Sequence, residues 1–585
     1  MPPKHRAFSL LLLMCLPLLS LAQEYGSWDR PVPDLGSWWQ PVENFVPPQA
    51  GEHPRLLFRS EELPALRQKM QSPEGMALLQ RLRYLLNGSD GEGMPLAFNR
   101  ADSAYAAGAK RNTVADTPGV YTFGHVAGYG LLYQLTGEQK YARWGKECFE
   151  LALQGQRDRD DRYSWVDPGG PLRAGPVLGW MAVGYDLCYN GWDPATREKF
   201  GKAIENYQTG LYTKWGHTWV NLDQLVSGTM PPKSNHYGMQ VGGAALALLA
   251  ITQEPWVKQK RIDSLLEASA RAMVHNITQG FGDGGYFAEG DGTGSMASQI
   301  AYLSALQAWQ NVRGMDFVNV ERPNARMTAL KWLYLTQVHD GQAAIWPVRG
   351  GYPHNAWSRM GLSGAGYFGL AFGVFSPEYQ AVFKWFYDQF LLTPDTQAGT
   401  PYEPSAYPHL VVAAFVNWPV DLAAQNPAQV LPLCYRDSLR GFYAWRNRWQ
   451  DENDIVITAL TQKVKGFMGA KADTAFHVWA YGKKETWGTI PGPVDQWKRS
   501  PNGETSVLHF ENGKVIAIDL SGKSGADAVL IAPGAQEGTQ VQIGEQVFTV
   551  KCYSQNKTPK IRARGTLIRV GKQKIRWEDG SFRFL

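Results

Sequence analysis

Residues 233–252 read Lys233-Ser-Asn-His-Tyr-Gly-Met-Gln-Val-Gly-Gly-Ala-Ala-Leu-Ala-Leu-Leu-Ala-Ile-Thr252, and residues 280–294 read Gly280-Phe-Gly-Asp-Gly-Gly-Tyr-Phe-Ala-Glu-Gly-Asp-Gly-Thr-Gly294. The first stretch starts polar and passes into an unbroken apolar run with helical character. The second is rich in glycine and leads into another such run. Two polar helix entrances joined by roughly forty residues of packed helix predict a helical barrel. His236, Tyr286 and Glu289 would then converge at one end of it, which is where chemistry is expected.

The same pattern recurs on both sides. Apolar helical stretches lie near 122–136, 175–190, 195–213, 238–251, 259–275, 295–311, 326–337, 361–373 and 378–392, separated by loops rich in Gly, Pro, Trp and Asn. Paired helices of this number predict an α/α toroid whose loops form a groove at one end. A stacked solenoid would need a fixed repeat period, and none is present.

Near Pro432 the period changes from helical to alternating. Asp454–Leu460, Ala475–Tyr481, Thr505–Phe510, Val515–Leu520 and Val541–Val550 read as strands between Gly, Asn and Pro turns, and Lys560–Leu585 continues the pattern. A C-terminal antiparallel β-sandwich is therefore expected at 425–585, with one buried and one solvated face explaining the alternation. The fold class is a multidomain α+β chain, with the helical region at 55–424 as its catalytic part.

Two segments precede the helices. Lys4 and Arg6 flank an apolar run from Ala7 to Leu19, followed by Ser20-Leu-Ala-Gln23, which reads as a signal peptide of residues 1–22 and an exported, secreted or periplasmic protein. Residues 23–54, with Trp28, Trp38, Trp39 and several prolines, read as an extended arm packed on the surface. Removing 22 of the 585 residues leaves 563, and the formal charge falls from +5 to +3. Interspersed charges of that size make no case for nucleic acid. No later run is long enough for a membrane span, so stable membrane insertion after signal removal is not expected. Cys148, Cys188, Cys434 and Cys552 lack metal or redox spacing, and a Cys148–Cys188 bridge is the one pairing considered.

Several groups could carry chemistry. Asn235 offers an amide to a carboxylate, and His236 an imidazole facing a groove. Tyr286 and Glu289 lie among glycines that match neither a dinucleotide fingerprint nor a phosphate loop, and that are expected to permit tight turns and close polymer approach. Trp346 to Arg359 brings together Arg349, Tyr352, His354, Trp357 and Arg359, suited to gripping a carboxylate and stacking on sugars. His125, Arg173, His217 and Trp219 sit in loops abutting helices and are expected to line the same groove. Asp158-Arg-Asp-Asp-Arg162 reads as a solvated turn. No cofactor is required by these residues; a structural divalent metal in the β-region is left open, with no ligand cluster to predict it.

Taken in order, four marks resemble the heparinase II/III-like superfamily of polysaccharide lyases: His53-Pro-Arg-Leu-Leu-Phe58 with Ser60-Glu-Glu-Leu63, Asn235-His-Tyr237, Gly284-Gly-Tyr-Phe-Ala-Glu-Gly290, and Gly441-Phe-Tyr-Ala-Trp-Arg-Asn-Arg-Trp449. The resemblance implies an incomplete α/α toroid followed by antiparallel sheets. It also implies β-elimination on a uronate-containing polysaccharide, with Asn235 neutralising the carboxylate, His236 assisting at C5 and Glu289 supporting the site. Two departures stand out. Glu289 is followed by Gly290-Asp-Gly-Thr293 where a tyrosine often follows, and the β-region's histidine-aspartate motif is reduced to Asp473 and His477.

Elimination needs a carboxylate neutraliser, a base at C5 and an acid for the departing O4. Asn235 and Arg349 suit the first role, His236 or a tyrosinate the second, and a tyrosine the third. Tyr352, beside Arg349 and His354, is the assigned tyrosine; Tyr237, Tyr286 and Tyr302 are its rivals. Alginate, glucuronan, heparin-like chains, chondroitin, hyaluronan and ulvan are not ranked as substrates. Two other classes compete: a glycoside hydrolase pairing Glu289 with Asp291 or Asp223, and a non-catalytic glycan-binding protein.

Overall fold

The computed structural model describes residues 35–96, 118–210, 219–290, 293–339, 342–345, 358–359, 369–391, 407–464 and 469–585. The expected signal peptide and the start of the arm lie outside them.

The helical region contains α1 (Leu63–Lys69), α2 (Pro73–Asn87), α3 (His125–Thr136), α4 (Gln139–Leu153), α5 (Pro171–Cys188), α6 (Pro194–Glu205), α7 (Leu222–Ser227), α8 (Asn235–Ile251), α9 (Gln259–His275), α10 (Thr293–Arg313), α11 (Asn324–Leu335), α12 (Pro377–Phe386) and α13 (Pro408–Asn417). Helices α13, α3, α5, α8 and α10 pack side by side in that order, with α2, α4, α6 and α9 outside them. This is the toroid-like arrangement expected. The division follows from composition. In α8 every residue but His236 is buried, whereas α9 buries Ile262, Leu266, Ala270 and Met273 on one stripe.

Glycines set the spacing of the inner row. A Cβ at Gly243 would overlap the Gly175 carbonyl, and one at Gly242 would overlap the backbone of Tyr302, so α8 is pressed against α5 on one side and α10 on the other. Gly175 meets Met239 and Gly179 meets Gly243; likewise Gly184 meets Val126 and Gly130 meets Leu187. These contacts advance in the same direction along both partners. Helices α3, α5 and α8 therefore run parallel, with their entrances at one end.

The arm motif at residue 53 locks this row from outside. His53 Nδ1 lies 2.6 Å from Asp186 of α5 and its Nε2 2.8 Å from Glu254 beyond α8. Arg55 reaches Glu254 at 3.1 Å, Tyr189 donates to the same carboxylate at 2.7 Å, and the amides of Arg55 and Leu56 donate to Asp186. A buried charge without partners is costly, and here each carboxylate is met several times.

Fifteen strands follow: β1 (Cys434–Asp437), β2 (Phe442–Arg446), β3 (Val456–Leu460), β4 (Phe476–Ala480), β5 (Lys483–Trp487), β6 (Val494–Arg499), β7 (Thr505–Phe510), β8 (Val515–Asp519), β9 (Ala528–Pro533), β10 (Thr539–Ile543), β11 (Gln546–Tyr553), β12 (Ile561–Arg564), β13 (Leu567–Val570), β14 (Gln573–Glu578) and β15 (Ser581–Phe584). They form three antiparallel sheets, ordered β5-β4-β3-β2-β1, β6-β7-β8-β9-β11-β10 and β12-β13-β14-β15, none closed into a barrel. The predicted single strand Val541–Val550 is a hairpin turned at Gly544, where φ is +61°.

The expectation of one solvated face needs correction. Tyr443, Trp445, Ile457 and Val478 of the first sheet pack on Leu508, Ile516 and Leu530 of the second, while Phe442, Ala444 and Leu460 join the helical core. The second sheet's other face, with Val515, Val529 and Phe548, packs on Ile568, Ile575 and Phe582 of the third. Helices and three sheets thus stack as four layers. Strands β2, β3 and β8 are buried on both faces, whereas β10, β13 and β14 alternate between core and solvent.

Other expectations also change. Cys148 and Cys188 are free, buried thiols, so no bridge joins them. The Asp158–Arg162 run is not a solvated turn: Asp158 and Arg159 are buried. Asp158 accepts from the amides of Phe123 and Asp160, Arg159 lies 4.5 Å from the Tyr407 ring, and Arg162 pairs with Asp160. Its charges are met partly within the run and partly by Phe123 and Tyr407, distant in sequence.

Candidate active site

The entrance of α8 is built by Ser234, whose extended backbone and Oγ cap the helix by accepting the His236 amide at 3.3 Å. Asn235 is the first helical residue. Its Nδ2 donates to Glu289 Oε2 at 2.6 Å, joining two segments 54 residues apart. Glu289 is fully buried, and burial raises its pKa while the Asn235 donor opposes the rise. Its other oxygen, Oε1, is buried without a hydrogen-bond partner among the described residues. His236 beside it is half-buried.

Glu289 is held by the loop that precedes it. The Gly282 amide donates to Tyr286 O, the Ala288 amide to Gly280 O and the Gly290 amide to Phe287 O. The first sheet then grips this loop. Asp437 Oδ2 accepts from the amides of Gly284 at 3.1 Å and Tyr286 at 2.8 Å, and Tyr435 donates to Gly284 O at 2.6 Å. Lys331 and Asn324 of α11 donate to the carbonyls of Gly285 and Gly282. The glycines serve this docking: a Cβ at Gly282 would overlap the Asp437 carboxylate, one at Gly284 the Arg436 carbonyl, and Gly285 has φ +72°. The close approach expected of a polymer is in fact an approach of the protein to itself.

The remaining candidates are placed as follows. Tyr302 is fully buried and donates to Met273 O at 2.7 Å. Tyr286 is fully buried and stacks on Phe442 at 4.3 Å. Tyr237 is buried against Gly228. Burial holds the phenols of Tyr237 and Tyr302 above the ordinary tyrosine range. These environments suit packing, not proton transfer at a groove. His125 is buried, with Nε2 3.1 Å from Leu86 O and Nδ1 2.9 Å from the Thr122 amide, and burial pushes its pKa to about 3. It is a neutral ring that closes the start of α3.

Arg173 is half-buried at the first turn of α5, 5.8 Å from the Tyr163 ring, and Trp219 is 40% exposed. Asp223 is ion-paired to Arg261 at 2.5 Å. Arg349, Tyr352, His354, Trp357, His217 and Asp291 lie outside the described residues. Arg359 belongs to a two-residue strand, Ser358–Arg359, paired with Gln342–Ile345.

Sequence reasoning missed Asp437, Lys331 and His409. His409 is buried at the start of α13 between Phe123 and Trp180, and burial and Arg159 push its pKa to about 3. A histidine following Tyr407-Pro408 at a helix entrance was the available signal. Among the described residues no group of three or more His, Cys, Asp and Glu side chains is gathered as for a metal; Asp473 and His477 form a pair at 3.3 Å. No described helix is long and apolar enough to cross a membrane.

No family model and no curated protein sequence matches the chain. Among solved structures it is similar to one described as heparinase III, at 10% identity over 79% of this chain and 82% of that one, with a TM-score of 0.35. It is also similar to heparan sulfate lyase HepC from Pedobacter heparinus, at 12% identity over 89% of this chain and 93% of that one, with a TM-score of 0.38. A mutant of HepC from that organism aligns at 14% identity over 79% of this chain and 81% of that one, with a TM-score of 0.35. What those proteins cleave is a property of those proteins.

Proposed function

We propose that the chain is an exported polysaccharide lyase that cleaves a uronic-acid-containing polymer by β-elimination, leaving a 4,5-unsaturated uronate end. The observation that carries the reading is the Asn235–Glu289 hydrogen bond at the entrance of α8, beside the one residue of that helix that is not buried. An amide NH2 has two hydrogens. Glu289 takes one and fixes the plane of the amide; the other is the donor for the uronate carboxylate. Withdrawing charge from that carboxylate acidifies the C5 proton. His236 removes the proton, the C4–O4 bond breaks as the C4–C5 double bond forms, and O4 leaves with a proton from Tyr352.

Arg349 shares the carboxylate with Asn235 and favours the phenolate that Tyr352 becomes. Arg173, Trp219, His217, His354, Trp357 and Arg359 are assigned to sugar binding along the same groove. The test is a screen of alginate, glucuronan, heparin-like, chondroitin, hyaluronan and ulvan chains for ultraviolet absorbance of the unsaturated product. Absorbance that disappears in Asn235→Ala supports the reading. New reducing ends without absorbance would replace it with hydrolysis, and a bound but uncut polymer with a binding protein.

A further inference from the structure

A groove of about 900 Å³ is lined by Asp283 and Gly284 of the Glu289 loop, by α11, α12 and the chain at 430–436, and by the edge strand β6; Asn235, His236 and Glu289 are not among its lining residues. Its chemistry is distinctive. Arg436 lies 5.3 Å and Arg499 5.8 Å from the Trp497 ring, and Arg326 lies 5.0 Å from the Tyr379 ring. Among the described residues none of these three guanidiniums has a carboxylate partner. The one acidic lining residue, Asp283, is engaged by Ser438 Oγ and the Leu439 amide. An aromatic face orients a guanidinium without neutralising it. Arg499 Nη1 donates to the carbonyls of Ser500 at 3.2 Å and Pro501 at 2.7 Å, which fixes the fork and leaves its charge uncompensated by any carboxylate among the described residues. Arg436 and Arg499 are exposed, and Arg326 is half-buried.

We infer that this groove is a second binding site, separate from Asn235 and Glu289, that captures a carboxylated polysaccharide strand through Arg326, Arg436 and Arg499. Planar carboxylates along a chain match planar forks held on aromatic platforms. The choice of a uronate polymer among polyanions rests on the reading given under Proposed function; the arrangement of the three guanidiniums stands without it. Such a site would hold polymer near the Glu289 loop between cleavage events, raising the local concentration of substrate.

The test is retardation of the full-length protein in native gels containing alginate, with double-stranded DNA as a second polyanion. The variant is Arg436→Gln with Arg499→Gln, which keeps side-chain bulk on Trp497, and Arg562→Gln with Arg564→Gln on the third sheet controls for net charge. Loss of about tenfold in alginate affinity in the first variant alone, with thermal unfolding unchanged, is expected. Equal loss in both variants, or unchanged alginate affinity in the first, overturns the site. DNA bound as tightly as alginate and lost in parallel overturns the choice of ligand. Where the Gln pair is destabilised, Arg326→Gln gives the same readout from α11. Binding is read without turnover, so product formed by a protein that alginate does not retard rejects this groove alone, and retardation without product rejects the lyase alone.

Discussion

Asp437, the last residue of strand β1, accepts the backbone amide of Tyr286 at 2.8 Å across 151 residues of sequence. The first sheet thereby holds the loop that presents Glu289 to Asn235. Burial, together with the neighbouring Asp283, pushes the Asp437 pKa up to about 8, while Asp283 is lowered by sharing with it. Two neighbouring carboxyls with shifts in opposite directions are expected to keep one proton between them. Between the ordinary aspartate range and pH 8 the folded state binds more protons than the unfolded state, so this group's contribution to stability falls as pH rises through that window. Thermal unfolding from pH 5 to 8 should show a downward slope that Asp437→Asn flattens. Identical slopes in both proteins would disprove the shared proton.

In the proposed mechanism Glu289 acts through Asn235, to which it is hydrogen-bonded. The carboxylate is expected to be ionised when it aligns the amide, and its raised pKa places the acid limb of the kcat/KM profile above the ordinary glutamate range. Glu289→Gln should lower kcat/KM by about 10²–10³ through misalignment of a charge-stabilising donor. It should leave polymer affinity in the groove lined by Arg326, Arg436 and Arg499 intact, and the acid limb that remains should be that of the base His236. An acid limb identical in the two proteins would show that Glu289 contributes nothing to it.

Two tyrosines make a direct contrast. Tyr352→Phe should cost about 10²–10⁴ in kcat, the range for loss of a general acid. Tyr302→Phe should leave kcat unchanged and lower stability by about 1–3 kcal/mol, because Met273 O loses its buried donor. Steady-state rates and denaturant titrations on the two proteins separate the roles. Full activity in Tyr352→Phe would remove it from the mechanism.

His53 should matter to folding and not to chemistry. His53→Ala strips a partner from both Asp186 and Glu254, which remain buried, and a loss of about 3–5 kcal/mol is expected. The midpoint of urea unfolding reports it. A shift under a tenth of that would show that Arg55 and Tyr189 satisfy the carboxylates unaided.

Most helices were legible because apolar runs of helical length end at polar caps, although Pro73–Asn87, Gln139–Leu153 and Pro408–Asn417 were not among the runs read; Asn235 and Glu289 were singled out because they stand where such runs begin. Asp437 was not. A carboxylate closing a short strand looks ordinary until its partner, the Tyr286 amide, is seen beside it. The Asp158–Arg162 run misled for the same reason: charge density suggests solvent, whereas Phe123, Tyr121 and Tyr407 supply its partners from elsewhere in the chain. The glycines of the Glu289 loop were read as room for a ligand and proved to be room for α11 and β1. The Gly441–Trp449 motif serves docking as well. Arg446 donates to the carbonyls of Leu333 and Thr336 and pairs with Asp454, and Trp449 donates to Leu333 O.

Strand β2 has no free side: Phe442 and Ala444 belong to the helical core, Tyr443 and Trp445 to the sheets. A cut in the chain between α13 and β1 would therefore expose two raw apolar surfaces at once. The helical part cannot be lent to another protein as a cassette, nor the sheets traded for a different accessory module, without rebuilding the shared wall.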